Sequence, residues 1–434
     1  MTQGFLDDFT SFSRNGGSGP AWLAPIRRTA IERFEALGFP TTRDEDWHYT
    51  SVAPIIEANF RSTSAPGGEV TAAQLAPFMF GASDWLTLVF VNGRYAPALS
   101  SGAIPQGVSG SDAGAAWSQD AGVVQRHLTR HAAFDASSFT ALNTAFMRDG
   151  AVIHVAADAQ VDRPIHLLFV SDAAGARNVS HPRNLIVAER NAKVTVVESY
   201  VALGEASYFT NAVTEVEVGE GATVTHYKIQ RESPRAFHVG TTAVTQRKDS
   251  HYVSFSFATG GALSRTNIYT RLDGDGCGST LNGLYMVDGE QHTDQQTRIE
   301  HIKPNCYSRE VYKGVLDGAS HAVFNGKVYV HPEAQKTDGK QSNNNLLLSD
   351  RAHIDTKPQL EIFADDVKCT HGATVGRLDE TALFYMKSRG LNAATARNLL
   401  TYAFAADVLE QIELTPVREG LEALALERFA GEQR

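Results

Sequence analysis

His251-Tyr252-Val253-Ser254-Phe255-Ser256-Phe257 alternates strictly, placing Val253, Phe255 and Phe257 on one face of an extended chain and Ser254 and Ser256 on the other. Ala322-Val323-Phe324-Asn325-Gly326-Lys327-Val328-Tyr329-Val330 does the same, with Ala322, Phe324, Gly326, Val328 and Val330 sharing a face. A period of two belongs to strands, and both stretches read as half-buried strands. From about Ala151 to Gly376 helical periodicity is missing, and short runs of this kind are separated by Gly, Asp and Asn. Turn positions fall at Ser250, Leu263, Cys277, His292, Cys306, Ala319, Lys336, Ala352 and Lys368, roughly every 15 residues, so two units make a period of about 30. Strands so spaced, with no helices between them, describe a β-sandwich or a solenoid of stacked strands. The scarcity of strong hairpin turns and the small inward residues favour the solenoid, a β-helix.

The flanks differ. Leu23, Ile26, Ala30, Phe34 and Leu37 recur at helical spacing between Pro20 and Leu37, and Gly38 closes that helix. Phe39 to Trp47 is polar, contains Pro40 and is expected to be extended. Trp85 to Val91, Asn92-Gly93 and Arg94-Tyr95 read as a hairpin with a type I′ turn. Ser100 to Ala116 reads as a surface loop and Ser138 to Met147 as a short helix. Beyond Arg377 the chain turns helical, with Asp379 and Asn392 as caps and Thr415-Pro416 opening a last helix. Such helices either cap the exposed rung of a solenoid or offer a docking surface. The expected organisation is an N-terminal mixed, largely helical region (1–150), a β-helix core (151–378) and a C-terminal helical region (379–434).

Composition narrows the function. The 434 residues carry 39 Lys and Arg against 49 Asp and Glu, a formal charge of -10, with 42% hydrophobic and 20% charged residues. That is an ordinary globular balance, and its sign argues against a nucleic-acid or anionic-membrane binder. Only three cysteines occur (Cys277, Cys306 and Cys369), too few for a disulfide framework and suited to a reducing compartment. Met1 to Asp8 has neither the basic nor the apolar segment of a secretory signal, and no apolar run approaches the ~20 residues of a membrane helix. A cytoplasmic protein is expected.

Enzyme signatures are missing: there is no G-x-x-x-x-G-K-[ST], G-x-S-x-G, H-E-x-x-H or C-x-x-C. Asp273-Gly274-Asp275-Gly276 resembles part of a calcium loop but has no acidic residue at the twelfth position, so a turn explains it better. His292, His301, His321 and His331 read as surface or rung residues rather than ligands, and Cys277 and Cys306 as packed thiols. Asp365-Asp366-Val367-Lys368-Cys369-Thr370-His371-Gly372 stands apart. On a strand Cys369 and His371 leave the same face about 7 Å apart. A thiolate and an imidazole suit iron or zinc, and Lys368 could favour the thiolate. Two donors do not complete a site, so others must come from elsewhere in the fold or from another chain. The plain alternative is that Val367, Cys369 and His371 all face inward and pack, and spacing alone favours it.

The C-terminal third carries a resemblance. Phe324-Asn325-Gly326-Lys327-Val328, Ala334 to Asp338, Gln341-Ser342-Asn343, Asn345 to Ser349, Lys357 to Ile362, Ala364 to Cys369, His371 to Gly376 and Leu378 to Gly390 closely resemble the SufD family, scaffold subunits of the SUF iron–sulfur cluster assembly machinery. Upstream, Pro40 to Trp47, Phe90 to Arg94 and Ala141 to Phe146 extend the resemblance over nearly the whole chain. The Ala364 to His371 string has the SufD form rather than that of the paralogous SufB. The resemblance implies a right-handed parallel β-helix between N- and C-terminal helical regions. It implies pairing with SufB through the β-helix and docking of the ATPase SufC through the C-terminal helices, which accounts for the missing P-loop. It also implies iron or a nascent cluster, held transiently at the SufB–SufD interface, where Cys369 and His371 fall, with SufB supplying further ligands. Asp365 and Asp366 read as structural, ending the strand.

Three functions follow: a non-enzymatic scaffold in cluster assembly, a carbohydrate-active β-helix enzyme using paired outer-face carboxylates such as Glu300, Glu310, Asp317 and Glu361, or a partner-recruiting module without metal contact. The first is favoured. Homodimerisation of the isolated chain, iron binding by it and flavin contact stay open at this point.

Overall fold

The computed structural model describes residues 2–14, 20–62, 69–81, 84–112, 114, 116, 121–172 and 177–430. Two parallel sheets divide the chain between them, strand by strand. The first sheet runs from His353–Ile362 through His321–Val330, His292–His301, Leu263–Leu272, Phe237–Gln246 and Phe209–Val218 to Arg183–Ala188 and Ala151–Val155. The second runs from Val367–Gly376 through Thr337–Leu347, Tyr307–Leu316, Gly278–Val287, His251–Ala258, Thr223–Arg231 and Lys193–Leu203 to Ile165–Asp172 and Leu86–Val91. Each core strand pairs in parallel with the second strand after it, as in the ladder Thr223↔His251↔Gly278↔Tyr307↔Asp338. Alternate strands therefore stack into separate walls, the arrangement of a parallel β-solenoid rather than a sandwich. Antiparallel pairing among the described residues is confined to residues before 156. Each spaced turn position of the core lies within a residue or two of a strand start.

The lumen between the walls holds a continuous core. Phe90, Phe169 and Tyr200 are Cα partners on consecutive rungs, and their rings stack at 4.7 and 4.8 Å. In-register stacking makes each such pair worth about 0.5–1.5 kcal/mol beyond burial. Tyr252 of the opening stretch and Ala258 just after it face this lumen, and by strand parity Ser254 and Ser256 do too. Phe255 and Phe257 point outward, where Leu409, Val417 and Leu421 of the C-terminal helices cover them. The reading as half-buried strands is thus corrected. Along His251–Phe257 both faces are largely buried, because helices coat the outside of the coil there, whereas Lys327 and Tyr329 on the outer face of Ala322–Val330 stay part-exposed.

Those helices, Glu380–Ser388, Ala393–Leu409 and Thr415–Ala430, start where Asp379 accepts from Thr381 N–H at 2.8 Å and Asn392 from Thr395 N–H at 2.8 Å. The last two lie along the second sheet's outer face and do not cap the final rung. The first sheet's outer face is covered from the N-terminal side. Phe34 of the helix Leu23–Leu37 and Phe139 of Ser138–Phe146 share a cluster with Phe209, Phe237 and Leu263. Asn92 (φ 48°) and Gly93 (φ 77°) make the expected hairpin turn between Leu86–Val91 and Arg94–Tyr95.

Two flank readings change. The segment to Trp47 is not wholly extended: Asp44 accepts from Thr41 N–H at 2.7 Å and Glu45–Trp47 forms a single tight turn of helix. The stretch from Ser100 is not all loop, because Val108–Asp112 pairs with Ala151–Val155; residues 113 and 115 lie outside the described residues.

Candidate functional site

The chain of stacked strands ends on Val367–Gly376, which among the described residues pairs on one side only, with Thr337–Leu347. Along it side chains alternate. Val367 and Cys369 pack toward Val328, Val330, Ala334 and Ala364, whereas Lys368 and Thr370 are exposed. Cys369 stands opposite Gly339, where an added Cβ would lie 3.4 Å from the Cys369 Sγ and from the Ser308 Oγ. Burial pushes this half-buried thiol above its ordinary value, and nearby Asp338 adds to the rise. The expectation that Lys368 favours the thiolate is therefore corrected. Adjacent strand residues point to opposite faces, and the ammonium is on the wrong one.

His371 shares the Cys369 face by parity but is exposed, because no rung stacks above it. The packed alternative thus fits Val367 and Cys369 and not His371. No third His, Cys, Asp or Glu donor closes on this pair among the described residues. Asp365 and Asp366 form the turn before the strand, and the Asp366 carboxylate pairs with Lys336 of the rung below.

Beneath His371 runs a buried column that is polar except at Leu281. Its Cα partner is Gln341, whose partner is Glu310, followed by Leu281, Ser254 and His226. Gln341 Nε2–H donates to Glu310 Oε2 at 2.6 Å. Burial pushes the Glu310 carboxyl up to about 7, against hydrogen bonds from Gln341 and Thr297 that favour its ionised form. Glu310 was expected on the outer face; it is 1% exposed and lines the lumen. The signal lay in its parity with Ser308, Tyr312 and Leu316, small or apolar residues on every second position. The other carboxylates offered for hydrolysis are tied down in ion pairs. Glu300 faces His331 at 2.9 Å and Arg271 at 3.5 Å, Asp317 faces Arg397 at 3.3 Å, and Glu361 faces Lys327 at 2.8 Å.

The remaining candidates have structural partners. Cys277 and Cys306 are buried, and both thiols donate to the Gly274 carbonyl, at 3.1 and 3.2 Å. That turn carries Asp273, paired with Arg247 at 3.3 Å, and Asp275, which accepts from Asn305 at 3.0 Å. His301 is buried against Ser308 at 3.0 Å. His292, 2.9 Å from Thr50, is held neutral by burial, which pulls it down to about 4 despite nearby Asp294.

Comparison with known proteins agrees along the length of the chain. Residues 169–404 match the family described as SUF system FeS cluster assembly, SufBD core domain, and residues 17–167 match the SufBD protein N-terminal region. A SufBD family iron–sulfur cluster assembly protein of Synechocystis is 35% identical, over 93% of this chain and 90% of its own. The iron–sulfur cluster assembly protein SufD of Escherichia coli is 34% identical, over 94% and 92%. SufD of Bacillus subtilis is 28% identical, over 93% of each.

Proposed function

The chain belongs to the SufBD family of SUF-system iron–sulfur cluster assembly proteins, in its SufD form, and from that premise we propose a non-catalytic scaffold that works at the open end of its solenoid. The observation that carries the reading is the pair of free edges. His353–Ile362 and Val367–Gly376, ten residues each, have no strand on their outer sides among the described residues. Two unpaired edges side by side are a template for strand addition from another chain. Phe363 and Val375, 56% and 50% exposed, add apolar surface there. A second solenoid of the same architecture, SufB, is the partner that continues both walls.

Pairing there would bury His371 and close the half-built Cys369–His371 face with donors from SufB, where iron or a nascent cluster is the cargo. The chain has two of its own donors to offer, one exposed imidazole and one half-buried thiol. The ATPase SufC would dock on the C-terminal helices, whose first member, Glu380–Ser388, buries none of its residues and exposes Phe384 and Tyr385. Displacement of these helices has a mechanical route to the site. Ala405, Val408 and Leu421 share a cluster with Leu346, whose strand pairs with the one bearing His371. ATP-dependent binding that differs between two positions of the helices would shift the population in which the edge is open. The cytoplasm is the compartment that suits the three free thiols.

The test is anaerobic cluster reconstitution on the complex with SufB and SufC carrying His371→Ala. Loss of yield with intact assembly supports the reading. Wild-type yield from a Cys369→Ser, His371→Ala double variant would leave a partner-recruiting module without metal contact.

A further inference from the structure

We propose that His321, His353 and Asp355 form a divalent transition-metal site on the outer flank of the last two rungs, separate from the Cys369–His371 face. His321 and His353 are Cα partners on adjacent strands of the first sheet, and Asp355 is two residues beyond His353 on the same face. The solenoid register, rather than a loop, brings the three together. One potential ligand atom from each lies within 4.8 Å of the others. Asp355 Oδ2 is 2.8 Å from His321 Nε2 and 3.3 Å from His353 Nε2.

The surroundings leave the carboxylate to the imidazoles. Among the described residues Asp355 ion-pairs only with these two histidines. Lys357, two residues along the same strand, is drawn away to Glu45 at 3.0 Å. His292 continues the ring ladder one rung below, its centroid 4.7 Å from that of His321, but its Nε2 is committed to Thr50. It therefore acts as a floor and not as a ligand. The upper side is open, since the His353 side chain is 65% exposed.

Two imidazoles and one carboxylate with open positions are the donor set of non-haem Fe(II) and of zinc, cobalt and nickel sites. Ligation needs an Nε2 lone pair on each ring. In the metal-bound state each ring is neutral with its proton on Nδ1, and the Asp355 carboxylate binds the cation instead of facing an imidazole N–H. The site goes beyond the scaffold reading, because it needs neither SufB nor a thiol.

Co(II) is the probe, added to the full-length purified chain under anaerobic conditions and followed by its d–d absorption and by equilibrium dialysis, with Fe(II) competing. One Co(II) bound per chain through nitrogen and oxygen donors is expected, without the near-ultraviolet band of a cobalt–thiolate bond. His353→Ala, an exposed position that should not disturb folding, and Asp355→Asn should each weaken binding about tenfold or more. Cys369→Ser with His371→Ala should leave it unchanged. No saturable binding, or binding indifferent to His353→Ala, overturns the site. A thiolate band lost with Cys369→Ser would assign the metal to the scaffold face and also overturn it.

Discussion

Gln341 Nε2–H donates to Glu310 Oε2 at 2.6 Å inside the solenoid, where Glu310 is 1% exposed. An ionised carboxylate enclosed there loses its hydration, and protonation relieves that cost. Burial raises this carboxyl from 4.5 to about 7. The unfolded chain therefore ionises Glu310 first as pH rises. Stability from this group is full below about pH 4.5, falls up to about pH 7 and is level above, a loss of order 3 kcal/mol. Glu310→Gln removes the titration. Urea midpoints across pH 5 to 8 should show the wild type losing ground to the variant up to about neutrality; parallel curves would refute a protonated Glu310.

Arg265 ties the N-terminal flank to the coil. Its guanidinium lies 3.8 Å from the Trp47 ring centroid, donates to the Asp46 carbonyl at 2.6 Å and pairs with buried Asp294 at 2.6 Å. Arg265→Ala leaves Asp294 a buried carboxylate without its cation, a loss of about 3–5 kcal/mol. Calorimetry should show a lower midpoint, and limited proteolysis should cut near Trp47. Adding Asp294→Asn should restore part of the loss.

Phe384 and Tyr385 are 72% and 58% exposed, on a helix none of whose residues is fully buried. If that helix serves the ATPase, Phe384→Ser should reduce capture of SufC while leaving thermal stability within about 0.5 kcal/mol, as at other surface sites. Equal loss of capture and stability would mean that the helix only packs.

The solenoid was legible because its strands repeat one length, and the nearly even turn spacing survives in the sequence. The Cys369–His371 pair was legible as local parity. Three other features were not. Alternation at Ser254 and Phe255 cannot say which face is the lumen, because helices far along the chain bury the outer one. Glu310 looks like any surface carboxylate until its column with Gln341 is built. His321 and His353 meet only through a register set by turns of unequal length, so they read as scattered histidines.

The thiols give a last check on the end of the coil. Cys277 is held below its ordinary value, first by its neighbour Cys306, so acidity alone would make it the reactive one. It is also 0% exposed, and Cys306 is 1% exposed. A reagent must reach the sulfur before its ionisation matters, so only Cys369, half-buried on the last rung, should react in the native chain. Because burial raises the Cys369 thiol above 9.0, its alkylation rate should still be climbing at pH 9. Mass-spectrometric mapping after brief iodoacetamide treatment would show one modified site of three. Adding SufB should protect that site if the free edge is where the two chains meet. Early labelling of Cys277 would mean that the coil opens at its turns, and unprotected Cys369 in the complex would move the interface elsewhere.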